Sequence, residues 1–340
     1  MRVLVTGHNG YIGQVLVPFL ESAGHDVVGL DTGYYARCQF DKPPTGRAID
    51  KDIRDVERSD LEGFDAVAFL AALSNDALGD LDPRLTEEIN RDATARFAGL
   101  AKEAGIPRFV FASSCSLYGA SEGDAALDEA ASMNPVTPYG RTKIEVERVL
   151  ADLADESFSP TYMRNATAYG VSPNLRIDIV VNNLVGYAVT TGEVLLKSDG
   201  SSWRPLVHIE DISRAFLAAL EADRGLVHDQ PFNVGRHEEN YRIRDVAEAV
   251  ARIVPDCRVE LAAGASPDLR NYRVDFSKIH RTLPAFQPVW TVERGIAELV
   301  AAYEAHGLTK EEFLSTRYLR IGTILEHRRE GRLDEDLRWV

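Results

Sequence analysis

One short segment limits most what this chain can fold into: the apolar run Val3-Leu4-Val5-Thr6 passes directly into Gly7-His8-Asn9-Gly10-Tyr11-Ile12-Gly13. The run reads as a buried strand, and the residues after it read as a helix over 12–23. Three glycines spaced three apart let the chain turn tightly, let backbone come close to a bound group, and let the helix pack on the strand. A phosphate placed there would meet free N–H groups and the positive end of the helix dipole. The expected unit is a strand, a turn and a helix built to hold a dinucleotide.

The rest of the first half keeps that rhythm. Strands are expected at 26–30, 47–52, 66–71, 108–112 and 161–165, and helices at 85–104 and 139–154. The last helix carries Ile144, Val146, Val149, Leu150 and Leu153 in helical register. Alternating strands and helices predict an α/β fold, a Rossmann-type doubly wound parallel sheet over residues 1–170. After Ala168 the pattern changes to a Ser172-Pro173-Asn174 loop, a helix near 180–190 and a short polar stretch ending in Trp203-Arg204-Pro205. Residues 171–205 and 237–308 therefore read as a smaller mixed α/β lobe. A helix at 211–221 and a strand at 231–234 would return 206–236 to the first sheet. Residues 309–340 read as a charged helical tail with Phe313, Tyr318, Ile321 and Leu325 on one stripe.

Composition removes several functional classes. With 45% hydrophobic residues among 340, the chain can bury a large core, and a net charge of -15 gives no basic field for nucleic acid. No basic-plus-apolar leader and no membrane-length apolar stretch is seen, so a cytoplasmic location without a membrane partner is expected. Three cysteines without metal-type spacing and eight scattered histidines predict reduced thiols and no metal site.

The second expected strand ends in Asp31, 18 positions after Gly13, where a carboxylate can accept hydrogen bonds from adenosine ribose hydroxyls and repel a 2'-phosphate. The cofactor expected is NAD; Arg37 nearby weighs slightly against strict preference over NADP. Asp52-Ile53 fits either an adenine contact or a turn aspartate with a core isoleucine. Further on, Pro138-Tyr139-Gly140-Arg141-Thr142-Lys143 opens a helix with Tyr139 and Lys143 one turn apart. An ammonium beside a phenol, whose ordinary pKa is about 10, stabilises the phenolate and fits Tyr139 for general acid–base work. Upstream, Phe109-Val110-Phe111-Ala112 ends in Ser113-Ser114, at the ligand end of a parallel strand.

From Met1 to about Trp290 these motifs resemble the extended short-chain dehydrogenase/reductases of the epimerase/dehydratase type, in particular UDP-glucose 4-epimerase. The resemblance implies Ser114, Tyr139 and Lys143 as catalytic residues, Ser114 standing 25 residues before Tyr139. It implies Gly7, Gly10, Tyr11, Ile12, Gly13, Asp31, Asp52, Ile53, Tyr139 and Lys143 at the cofactor. Leu70, Ala71 and Ala72 would pass over it, and Asn90 would lie on a helix along it. Ser74, Ser116, Thr167, Asn183, Arg204 and Arg270 are implied at a nucleotide-sugar substrate, UDP-, dTDP- or GDP-linked, the arginines on its diphosphate. A homodimer is also implied.

Two departures bear on the reaction. Dehydratases of the family carry Asp-Glu directly after the catalytic Ser/Thr; here Cys115-Ser116 stands there. Many relatives have Asn where this chain has Thr167. A 4-epimerase working through a transient 4-keto-sugar is the first expectation. A 4-keto-sugar reductase, a decarboxylase or dehydratase, and a catalytically silent NAD-binding regulator stand beside it.

Overall fold

The computed structural model describes residues 1–74, 82–120, 125–266 and 270–340. Its main strands are β1 (Arg2–Thr6), β2 (Asp26–Asp31), β3 (Arg47–Asp50), β4 (Ala66–Phe69) and β5 (Arg108–Ser114). After the two-residue β6 (Ala126–Leu127) come β7 (Ser159–Asn165), β8 (Thr167–Tyr169), β9 (Glu193–Ser198), β10 (Trp203–His208) and β11 (Gln230–Val234). Seven of these form one parallel sheet in the order β11-β7-β5-β4-β1-β2-β3. From β1 the chain winds one way to β3 and then the other way from β4, which puts a crevice at the C-terminal ends of β1 and β4.

Both faces of the sheet are covered, so its strands are apolar throughout rather than alternating with polar residues. In β1, Val3 and Val5 face a core with Leu16, Leu20, Ile212 and Phe216, while Leu4 faces a second core with Phe97, Phe109, Leu150 and Phe158. Helix Ile209–Glu221 covers one face, and β11 pairs with β7 from Gln230↔Thr161 to Val234↔Asn165, as expected of the returning segment. A third core, built on Val181, Val185, Leu206, Val246, Val250, Ile296 and Tyr303, lies in the second half.

Four details differ from the sequence expectation. Strand β5 runs two residues further, through Ser113 and Ser114, because β7 pairs with it as far as Ser114↔Asn165. The helix expected at 85–104 begins at Pro83, capped by Asp82, and includes a π-helical turn over Glu88–Ala93. The polar stretch before Pro205 is in fact two strands: β9 pairs with β13 (Arg258–Ser266), and β10 lies between β8 and β12 (Asn240–Arg242). The tail stripe is corrected as well. Its helix starts only at Arg320, so the register counted from Phe313 breaks, leaving Leu325 40% exposed and burying Ile324 instead.

Candidate active site

The glycine turn sits at the crevice between β1 and β4. Gly7 has φ +72°, and a Cβ on it would lie 2.9 Å from the Ala71 nitrogen; a Cβ on Gly13 would lie 2.3 Å from the Gly7 carbonyl oxygen. Side chains at either place would force the turn open. Tyr11 is buried, and its hydroxyl donates to the Gly170 carbonyl at 2.7 Å. Asp31 accepts N–H bonds on both carboxylate oxygens, from Gly33 at 2.8 Å and Asn9 at 3.0 Å. Burial raises its pKa; the two N–H groups, His8 and Arg320 oppose that shift.

Asp52 caps a 3-10 turn by accepting the Arg54 N–H at 2.8 Å, and it pairs with the Arg54 guanidinium at 2.7 Å. Burial works to raise its pKa and Arg54 outweighs it, leaving the carboxyl below its ordinary value. Asp52 and Ile53 both line the main cavity, so the turn and the ligand wall are the same structure.

The catalytic candidates meet on the neighbouring wall. The Thr137 side chain accepts the Gly140 N–H at 3.2 Å and caps helix Pro138–Leu153, which carries Tyr139, Lys143 and Glu147 at successive turns. The Lys143 ammonium donates to the Ala112 carbonyl at 2.6 Å and lies 5.4 Å from the centre of the Tyr139 ring. Burial lowers its pKa to about 7, with Glu147 opposing. Ser114 lines the same cavity, its hydroxyl accepting the Ser116 N–H at 3.1 Å.

Behind this wall, buried Arg164 pairs with Glu147 at 2.6 Å, and the Ser113 hydroxyl donates to Glu147 at 2.5 Å. These bonds tie the end of β5 to the helix that bears Tyr139. The Cys115 thiol donates to the Arg164 carbonyl at 3.1 Å, and burial pushes its pKa up, so it is a structural thiol facing away from the cavity.

The cavity has a volume of about 970 Å³ and runs from the glycine turn into the second lobe. It brings together Gly7, Gly10, Tyr11, Ile12, Gly13, Asp31, Leu70, Ala71, Ala72, Ser74, Ser114, Tyr139, Lys143, Thr167, Asn183, Arg204 and Arg270. Asn183 donates to the Ile177 carbonyl at 2.9 Å, and Arg204 donates to the Arg270 carbonyl. Two expected residues are not on the lining. Asn90 is buried with its amide clamped to Leu73, accepting the N–H at 2.8 Å and donating to the carbonyl at 3.0 Å. Its contact is with the loop that borders the cavity. Ser116 reaches the site through its backbone bond to Ser114.

Sequence reasoning missed several lining residues with chemistry, among them Arg176, Asp178 and Arg320. Arg176 pairs with Asp178 at 2.9 Å, and Arg320 arrives from the tail. None of these stands in a motif; only the excess of charge in the tail hinted at Arg320.

The NAD dependent epimerase/dehydratase family model matches residues 3–235, and the chain belongs to that family. It is 30% identical over 321 residues to the UDP-glucose 4-epimerase of Mycolicibacterium smegmatis, covering 88% of this chain and 97% of that protein. The solved structure of MoeE5 in complex with UDP-glucuronic acid and NAD is similar with a TM-score of 0.77 at 27% identity, covering 90% of this chain and 99% of that one. An NAD dependent NDP-hexosamine 5,6-dehydratase of tunicamycin biosynthesis shares the fold, with a TM-score of 0.80 at 22% identity over 89% of this chain and 98% of that one. The chain is therefore an NAD-dependent enzyme. Its residues fit that cofactor: a turn that side chains would block, a carboxylate at the end of β2, and a buried guanidinium whose Nη1 has no partner among the described residues all open on one cavity.

Proposed function

We propose that this enzyme is a nucleotide-sugar 4-epimerase. The observation that carries the reading is the make-up of the cavity wall: Ser114, Tyr139 and Lys143 line it, while the lining carboxylates among the described residues are Asp31, Asp52 and Asp178. Asp31 ends β2, Asp52 caps the 3-10 turn that follows β3, and Asp178 is bound by Arg176. The position next to Ser114 that would need an acid for elimination of water holds Cys115, turned toward Arg164.

NAD, when bound, supplies the oxidation at the sugar carbinol and the reduction that reverses it. Tyr139 takes the proton of the sugar 4-hydroxyl in the first step and gives it back in the second. Lys143 shares the buried wall and lends positive charge to the phenolate. The Ser114 hydroxyl donates to the oxygen on which charge changes. Arg204, Arg270 and Asn183 hold the diphosphate, so the sugar can present its other face without release of the nucleotide.

The decisive test is incubation with UDP-, dTDP- and GDP-hexoses and catalytic NAD, followed by NMR of the sugar. Interconversion of C4 epimers without net NADH formation is expected. Stoichiometric oxidation of NADH by a 4-keto-sugar, with no epimer exchange, would make the protein a reductase.

A further inference from the structure

Arg320 lies outside the residues matched by the family model, in the charged tail, yet its side chain is 2% exposed and lines the main cavity. Its Nη2 donates to the Asn174 carbonyl at 3.2 Å, and its guanidinium carbon stands 4.4 Å from the centre of the Tyr35 ring. Nη1 is buried without a hydrogen-bond partner among the described residues. Burial lowers its pKa, and a guanidinium remains charged even so. A buried cation with unused donors destabilises the protein unless an anion meets it.

The surroundings say which anion. Asn174 ties Arg320 to the glycine turn, because its side chain donates to the Asn9 carbonyl at 2.9 Å and to the Tyr35 carbonyl at 3.0 Å. Asp31 is close enough to shift in pKa with Arg320, but both of its oxygens are held by backbone N–H groups. Asp178, the other carboxylate whose charge acts on Arg320, is paired with Arg176. Arg320 is thus tied through Asn174 to the turn, which suits phosphate, and lies within reach of the charge of the acid that suits ribose.

The tail that delivers it is anchored to the same wall. Arg37 pairs with Glu330 at 2.7 Å, the Trp339 indole donates to the Thr32 carbonyl at 2.6 Å, and Arg54 donates to the Asp336 carbonyl at 2.7 Å. The Tyr34 hydroxyl donates to the Leu337 carbonyl. These bonds fasten 330–339 to the segments after β2 and β3.

We propose that Arg320 binds the diphosphate of NAD, making the C-terminal tail a working part of the cofactor site. The inference rests on NAD dependence and is independent of the epimerase reading.

Calorimetry on the cofactor-free full chain, with NAD, ADP-ribose, adenosine and 2',5'-ADP as probes, tests it. Arg320→Met is expected to weaken NAD and ADP-ribose by about 10- to 100-fold and to leave adenosine within about twofold, the size expected for charge-assisted bonds to phosphate. Arg320→Lys keeps the charge, loses the planar fork, and is expected to lose about three- to tenfold for ADP-ribose; it keeps the test decisive if methionine does not fold there. ADP-ribose binding within twofold of the parent in both variants would overturn the proposal. Equal losses for adenosine and ADP-ribose would overturn it too, by showing that Arg320 only shapes the pocket. A loss confined to 2',5'-ADP would assign it to a 2'-phosphate instead.

Discussion

Lys143 makes the stability of the cofactor-free protein depend on pH in a calculable direction. Its side chain is 4% exposed, its ammonium has one carbonyl acceptor at 2.6 Å, and burial lowers its pKa from the ordinary 10.5 to about 7. Between those values the unfolded chain binds a proton that the folded chain does not. Stability therefore rises with pH, by up to about 1.4 kcal/mol per unit. From pH 7 to 9 the gain is about 2 kcal/mol, less than the full slope because the folded lysine is still half protonated at the start. Below about pH 6 both states are protonated and the contribution is flat. Lys143→Met removes this term and leaves the other titrations in place. Urea melts of both proteins at pH 7, 8 and 9, analysed at constant m-value, would give the difference. Parallel pH profiles would refute the reasoning, because they would mean that the ammonium stays charged in the folded cavity.

Two further outcomes follow from the site. Tyr139→Phe removes the acid–base hydroxyl and is expected to lower turnover by about 10²- to 10⁴-fold while changing NAD affinity little; rapid epimerisation by this variant would identify another base. Asn90→Leu strands the Leu73 N–H and carbonyl and is expected to destabilise the cofactor-free protein by about 2–4 kcal/mol in denaturant melts. An unchanged stability with weakened NAD binding would instead make Asn90 a direct cofactor contact.

The parts legible in the sequence are those fixed by local rules. The turn from Gly7 to Gly13, Asp31 at the end of β2, and the one-turn spacing of Tyr139 and Lys143 follow from neighbours in the chain, and the structure gathers all of them on one cavity. The returning strand at Pro231 was legible because it is short, apolar and bounded by turn residues. Residues placed by long-range packing were not. Arg320 reaches Asn174 across 146 positions, and Arg54 reaches Leu337 across 283. No local periodicity encodes such contacts. The second lobe hid its strands for a related reason: β9, β10 and β13 pair in two small separate sheets, where apolar alternation is short and the polar residues belong to the site.

The two ends of the cavity are built differently, and the difference suits the proposed reaction. At the end nearest Asp31 and Asp52, carboxylates, backbone N–H groups and tail residues hold one another in place: Asp31 by Asn9 and Gly33, Asp52 by Arg54, and the following segments by residues 330–339. A cofactor seated there would be kept through successive oxidation and reduction, which a 4-epimerase requires because loss at the keto stage would strand the sugar. The lining contributed by 166–168 consists of Ala166, Thr167 and Ala168, small side chains with one hydroxyl among them. The residues proposed for the diphosphate are themselves pinned, Asn183 to Ile177 and Arg204 to the carbonyls of Trp203 and Arg270. On the proposed reading, anchoring the substrate diphosphate through Asn183, Arg204 and Arg270 while small side chains border the sugar would let a keto-sugar turn over between two proton transfers at Tyr139.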